Sequence, residues 1–305
     1  MVEDLGRVQV RLGRPPRDTP RRAHWRALPP RALLVVPSLV WFGTFFVAPL
    51  LLVMVHSFGR MDLVTFEMRF GWTLQNYRNI LDPIYFKTLL RSLALSTSTT
   101  ILCALVGLPL AYFISRQEER WQRVLLLLVI VPFWTSFVVR IYAMVNALEN
   151  AGPIDSLAND LHLVSGHIDV LYTSKAVAIG MLYSYLPLMV LPIYVALERI
   201  HPAVLDAASD LGANGWELFR RVILPLAVPG IAAGAVIVGI SATGEYVIPE
   251  ILGGGKTLML GNVIADQFLN VGDYPFGSAI AVALLVVLML LLVFGRGSRR
   301  IEALT

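Results

Sequence analysis

Apolar residues in this chain run on rather than alternate. Six stretches are almost continuously hydrophobic: about Arg31–Phe58, Leu89–Ser115, Val124–Leu148, Ala176–Ala196, Pro225–Leu252 and Phe276–Phe294. A helix needs roughly 20 mostly apolar residues to cross the hydrocarbon layer of a bilayer, so each stretch predicts one spanning helix. Prolines interrupt them (Pro37, Pro49, Pro109, Pro132, Pro187, Pro192 and Pro229). Soluble helices rarely accept this, whereas membrane spans do, because neighbouring groups re-satisfy the freed backbone. The pattern predicts an all-α membrane protein with a six-span domain over residues 31–295. A polar tail, 1–30, precedes it and a short tail, 296–305, follows.

Composition agrees. Of 305 residues, 56% are hydrophobic and only 15% charged, against about 25% charged in a soluble domain. Charge also sets the expected orientation, since Lys and Arg favour the cytoplasmic side. With the amino terminus inside, the inside segments are the first tail with the adjoining Arg31, the 116–123 loop, the 199–224 loop and the last tail, and they hold 17 of the 25 Lys and Arg residues. The 149–175 connection on the other side carries Glu149, Asp155, Asp160 and Asp169 against Lys175. Both termini are therefore expected in the cytoplasm.

The first span predicts a retained helix rather than a cleaved leader, because its apolar region is too long and some thirty polar residues precede it. The Arg-rich tail beside it is expected to lie against anionic lipid, not against nucleic acid. Cys103 is the single cysteine, which excludes a disulfide framework and a cysteine metal site. His162 and His167, in a polar loop without companions, read as surface histidines.

The loop between the fourth and fifth stretches, 199–225, predicts two short helices around a turn. Pro202 suits a first helical position. Ala203, Ala207, Ala208 and Leu211 recur at helical spacing. Gly212 stops that helix, and Asn214 and Glu217 stand at the spacing of a capping box that starts another. Trp216, Phe219 and Ile223 form the apolar face of the second helix. Such faces on a loop outside the membrane rest on lipid or dock into a partner's groove.

The run Asp206-Ala207-Ala208, three residues, Gly212, nine residues, then Val222-Ile223-Leu224-Pro225 resembles the EAA loop of binding-protein-dependent ABC importer permeases. Asp stands for the usual Glu and Val for Ile. The resemblance implies that this loop couples to an ATPase subunit through Asp206, Ala207, Ala208, Gly212, Trp216, Phe219, Leu224 and Pro225. It also implies the type I importer architecture and a set of partners: two ATPase subunits that carry ATP and Mg, a second similar permease, and an extracytoplasmic substrate-binding protein. The location is then a bacterial inner membrane. Two further stretches, Val139–Asp155 and Leu252–Phe268 followed by Tyr274–Ala279, are similar to spermidine/putrescine permeases. They imply a polyamine cargo, with iron, sulfate or an aminophosphonate as alternatives on the same machinery.

The chain itself is not expected to be an enzyme or to bind a cofactor. Gly253-Gly254-Gly255-Lys256-Thr257 suggests a phosphate loop, but the pattern needs glycine at position 250, where Glu stands. The segment reads as a flexible turn on the outer side. A self-sufficient ion-coupled transporter would need a midplane ion site and usually an internal repeat, and no repeat is visible. Along the spans, Glu245 is an ionisable residue within the fifth stretch and therefore a functional candidate. Trp134, Tyr142, Asn146, Tyr183, Tyr185 and Tyr246 join it as candidates for lining the substrate path. Pairing of Glu245 with Arg140 answers the same desolvation cost and stays open on sequence alone. Asp266 and Asp273 are expected outside, facing either a binding protein or solvent.

Overall fold

The structure is a computed structural model and describes residues 30–62, 67–69, 71–150, 152–161 and 169–302; His162, His167 and nearly all of the basic tail lie outside these residues. The chain divides into two compact units, Met1–Leu50 and Leu51–Thr305. In the first, helix α1 (Pro30–Phe42) passes into a π-turn, Gly43–Val47, without a break. Aromatic side chains four apart stack along it. Trp41 and Phe45 lie 4.3 Å apart by ring centroid, and Phe42 and Phe46 lie 4.8 Å apart, as side chains at i and i+4 should.

The second unit begins in α2 (Ala48–His56) and continues through the hairpin β1 (Arg60–Asp62) and β2 (Glu67–Arg69) to α3 (Gln75–Ile80). There follow α4 (Pro83–Ser115), α5 (Glu119–Ile130), α6 (Phe137–Leu148), α7 (Pro153–Asp160) and α8 (Ser174–Glu198). The short helices α9 (Pro202–Asp210) and α10 (Gly215–Leu218) lead through a π-turn, Phe219–Ile223, into α11 (Leu224–Thr243). Helices α12 (Val247–Gly253), α13 (Leu260–Asp266) and α14 (Tyr274–Glu302) complete the described chain.

Among the described residues, five helices are long and apolar enough to cross a membrane. The predicted third span is different. Helices α5 and α6 meet at a bend of 97°, where Pro132 sits in a 3-10 turn and Thr135 adopts an extended conformation. Counted as one broken span, the pair makes six. The fifth span also departs from expectation. It ends at Thr243, and the chain breaks at Gly244–Tyr246 before α12 resumes.

The core of this unit is the mutual packing of α4, α8 and α11, with Ala111, Met181, Met189, Ile193 and Val238 inside it. No water drives helices together in a bilayer, so close approach of small residues and interhelical hydrogen bonds carry the association. Both are present. Gly230 and Gly234 lie one turn apart on α11 where it crosses α8. A Cβ on Gly230 would stand 2.5 Å from the Pro192 carbonyl oxygen, and one on Gly234 would stand 2.6 Å from Met189 Sδ. Between α4 and α11, Ser96 Oγ donates to the Gly239 carbonyl at 2.8 Å and accepts from Thr243 Oγ1 at 2.8 Å. A second cluster of Leu260, Phe276, Ile280 and Leu284 joins α13 to α14.

Candidate functional site

The 199–225 loop folds as a helical hairpin whose turn is chemically defined. His201 Nδ1 accepts from the Ala203 amide at 3.3 Å and so caps the start of α9. At the other end the amide of Gly212 donates to the Ser209 carbonyl at 2.9 Å, and that of Ala213 to the Ala208 carbonyl at 3.1 Å. This pair of bonds is a Schellman motif, which requires a left-handed residue after the helix. Gly212 supplies it with φ +86°. The capping box then forms: Asn214 Oδ1 accepts from the Glu217 amide at 2.9 Å, and Glu217 Oε2 accepts from the Asn214 amide at 3.3 Å.

The faces of the hairpin differ in part from the periodic reading. Leu205, Leu218 and Phe219 pack against the protein's own core and Ile223 is buried, whereas Leu211 projects outward with Trp216. Trp216 is 68% exposed and stacks on Phe219 at 5.8 Å. Phe219 is thus the inner support of an exposed indole rather than a free anchor. Asp206 and Ala207 are exposed and Ala208 is half-buried. Asp206 lies in the second turn of α9, not the first, so it gains little from the helix dipole, which falls off within a turn. Leu224 and Pro225 open α11 directly behind the π-turn. The hairpin is continuous with that helix.

At the other end of α11 stands Glu245, in the helix break and only 8% exposed. Its Oε1 accepts from the amides of Tyr246, Val247 and Ile248 at 3.0, 2.8 and 3.3 Å, and its Oε2 accepts from the Tyr185 hydroxyl. A carboxylate beside the free amides of a helix start is favoured by both hydrogen bonding and the dipole. These contacts meet the desolvation cost of the charge without a cation. Arg140 accordingly does not pair with Glu245. It too is 8% exposed, with its guanidinium 4.7 Å above the Phe133 ring and its Nε without a hydrogen-bond partner among the described residues.

Of the seven candidate path residues, the structure brings together Glu245, Tyr246 and Tyr185. Trp134, Tyr142, Asn146 and Tyr183 are exposed on the single chain, and Trp134 lies at the 97° bend. Asp273 accepts from the Phe276 amide at 3.1 Å and starts α14. In the Gly253–Thr257 segment Gly254 and Gly255 take positive φ, and buried Thr257 lies 3.3 Å from Ser174 Oγ. Asn262 is a structural residue that the sequence pattern does not single out. It is buried, and its Nδ2 donates to the Tyr246 carbonyl at 2.8 Å and to Glu250 at 2.9 Å. A single Asn in an apolar environment is the available signal.

A hairpin of this kind on a bundle of spans is matched at family level. The sequence profile described as "Binding-protein-dependent transport system inner membrane component" covers residues 104–301. The chain belongs to this family. Among its relatives, the spermidine/putrescine transport system permease protein PotB of Escherichia coli K12 is 38% identical over 267 residues, which span 87% of this chain and 97% of that protein. PotB of Haemophilus influenzae is 42% identical over 254 residues, spanning 83% and 88%. Among solved structures, a chain of a bacterial ABC transporter that imports the acidic polysaccharide alginate superimposes with a TM-score of 0.72 at 18% identity, covering 88% of this chain and 94% of that one. The family is one of membrane components of ABC importers, and these are proteins of the inner membrane.

Proposed function

We propose that this chain is the polyamine-conducting permease subunit of an ATP-driven importer, with both termini in the cytoplasm and the 201–223 hairpin as its handle for an ATPase. The identity to PotB proteins over nearly the whole chain is the observation that carries the cargo. The defined turn at Gly212 and the outward indole of Trp216 support the handle. Under this reading a binding protein delivers putrescine or spermidine from outside, and a second permease completes the cavity. Two ATPase subunits, which carry ATP and Mg, move the hairpins. The chain makes and breaks no covalent bond.

The test is uptake of labelled putrescine and spermidine in cells lacking this gene and any redundant importer. Wild type should restore uptake, and Gly212→Trp should insert in the membrane yet fail to restore it. Uptake untouched by the deletion would sink the polyamine cargo. Iron, sulfate and phosphonate would then be assayed on the same strain.

A further inference from the structure

A cavity of about 470 Å³ opens between the start of α4, the first turn of α12 and the end of α13. Pockets of this size suit small organic ligands. Tyr246, just before α12, and Glu250, in its first turn, both line it. Asp266 of α13, Asn270 just beyond it and Tyr85 of α4 also line it, and Leu258 contributes apolar surface. Among the described residues, no Lys or Arg lines it.

The walls are built rather than incidental. Glu250 Oε2 accepts from buried Asn262, whose Oδ1 in turn accepts from the Met259 amide at 3.2 Å. That fixes the carboxylate at the cavity wall through one oxygen. Asp266 Oδ1 accepts from Asn270 Nδ2 at 2.8 Å. The Tyr85 ring is held edge-on by Phe276 at 5.1 Å. Two carboxylates from different elements and two tyrosines thus line one concave space. A concave site lined by one sign of charge concentrates counter-ions, and an aromatic face attracts a cation by about 0.5–2 kcal/mol. Inorganic cations would use the carboxylates but gain little from the rings or from Leu258. An alkylammonium uses all three.

We infer that this cavity is a receiving subsite for one ammonium end of a polyamine, at the end of the molecule away from the 201–223 hairpin. The assignment rests on the polyamine reading above and adds the place where cargo first meets the permease. The α11 helix, at 1.5 Å per residue, separates cavity and hairpin by about 30 Å. Glu250 and Tyr85 enter here as binding residues, whereas Glu245 is a positioning residue that holds α12, and with it Tyr246, in place.

The test uses the complete transporter with its binding protein in proteoliposomes. Glu250→Gln and Asp266→Asn keep an oxygen able to accept the existing hydrogen bonds while removing the charge. The double variant should raise the KM for spermidine uptake about tenfold or more, the lower end of electrostatic enrichment. In an otherwise wild-type chain, Leu258→Cys should react faster with a trimethylammonium thiosulfonate than with a sulfonate analogue, and spermidine should slow that reaction. Cys103 is fully buried and does not compete. Wild-type KM in the double variant, or equal rates with the two reagents, would overturn the subsite while leaving polyamine import intact. A wild-type transporter that imports no polyamine would overturn the cargo reading itself, and lack of spermidine protection of the introduced thiol would then overturn the subsite with it.

Discussion

The hydroxyl of Tyr185, on α8, donates to the carboxylate of Glu245, in the break after α11. Together with three backbone amides of α12, it satisfies a buried anion that would otherwise be costly in a bilayer. The bond ties α8 to the discontinuity in the fifth span. It also explains why a carboxylate sits there without a basic partner.

Tyr185→Phe should therefore cost about 1–3 kcal/mol, the penalty for leaving a buried acceptor short of a donor. Glu245→Gln should cost less, since its amide oxygen still accepts from the α12 amides. Thermal unfolding of the purified complex in detergent checks the order, and a Tyr185→Phe protein as stable as wild type would count against the tie.

Gly212→Ala should weaken coupling without affecting membrane insertion. Space is not the obstacle, as nothing lies within 4 Å of a Cβ built there. The obstacle is φ +86°, which costs an L-residue roughly 1–2 kcal/mol. Gly212→Asn should be milder, because Asn visits that conformation more readily. The ratio of transport to ATP hydrolysis across the three proteins reads this directly.

Trp216→Ala and Ile223→Ala should part company. Trp216 is largely exposed and Ile223 is 2% exposed. Loss of the first should change the stability of the isolated chain by no more than about 0.5 kcal/mol and abolish co-purification of the ATPase. Loss of the second should cost about 2–5 kcal/mol, visible as reduced yield and lower thermal stability.

Gly234→Val should prevent the close crossing of α8 and α11, because its Cβ would meet Met189 Sδ at 2.6 Å and Met189 Cα at 3.2 Å. Overpacking of a well-packed site costs typically about 1–3 kcal/mol. Combination with Met189→Ala should recover part of the loss, as measured by yield of monodisperse complex.

Much of this organisation is legible in the sequence because it depends on local chemistry. The Gly212 stop, the Asn214–Glu217 box and Pro202 all act within a few residues, and each predicts its own local structure. The apolar runs likewise report spans because a bilayer imposes length. What stays illegible depends on distant partners. Nothing near Glu245 reveals that Tyr185, sixty positions upstream, will reach it, or that the α12 amides will serve in place of Arg140. Pro132 marks a candidate break in the third stretch, but the size of the bend, 97° at Pro132–Ser136, is hidden because a hydrophobic run carries no sign of direction. Periodicity misplaces the inward Phe219 because a π-turn at Phe219–Ile223 shifts the helical register that a regular repeat assumes, and the outward Leu211 because it is the C-cap of α9, past its last helical residue.

The close crossing at Gly230 and Gly234 has a mechanical meaning. Because the hairpin runs through the π-turn into α11 with no loop between, and α11 is seated on α8 backbone to backbone, a push at Trp216 has no slack joint in which to dissipate. The helix behaves as a lever about 30 Å long, clamped near the end that joins the hairpin. After the crossing with α8, the next break in the backbone is at Gly244–Tyr246, so the crossing and the gap bound one rigid stretch of α11.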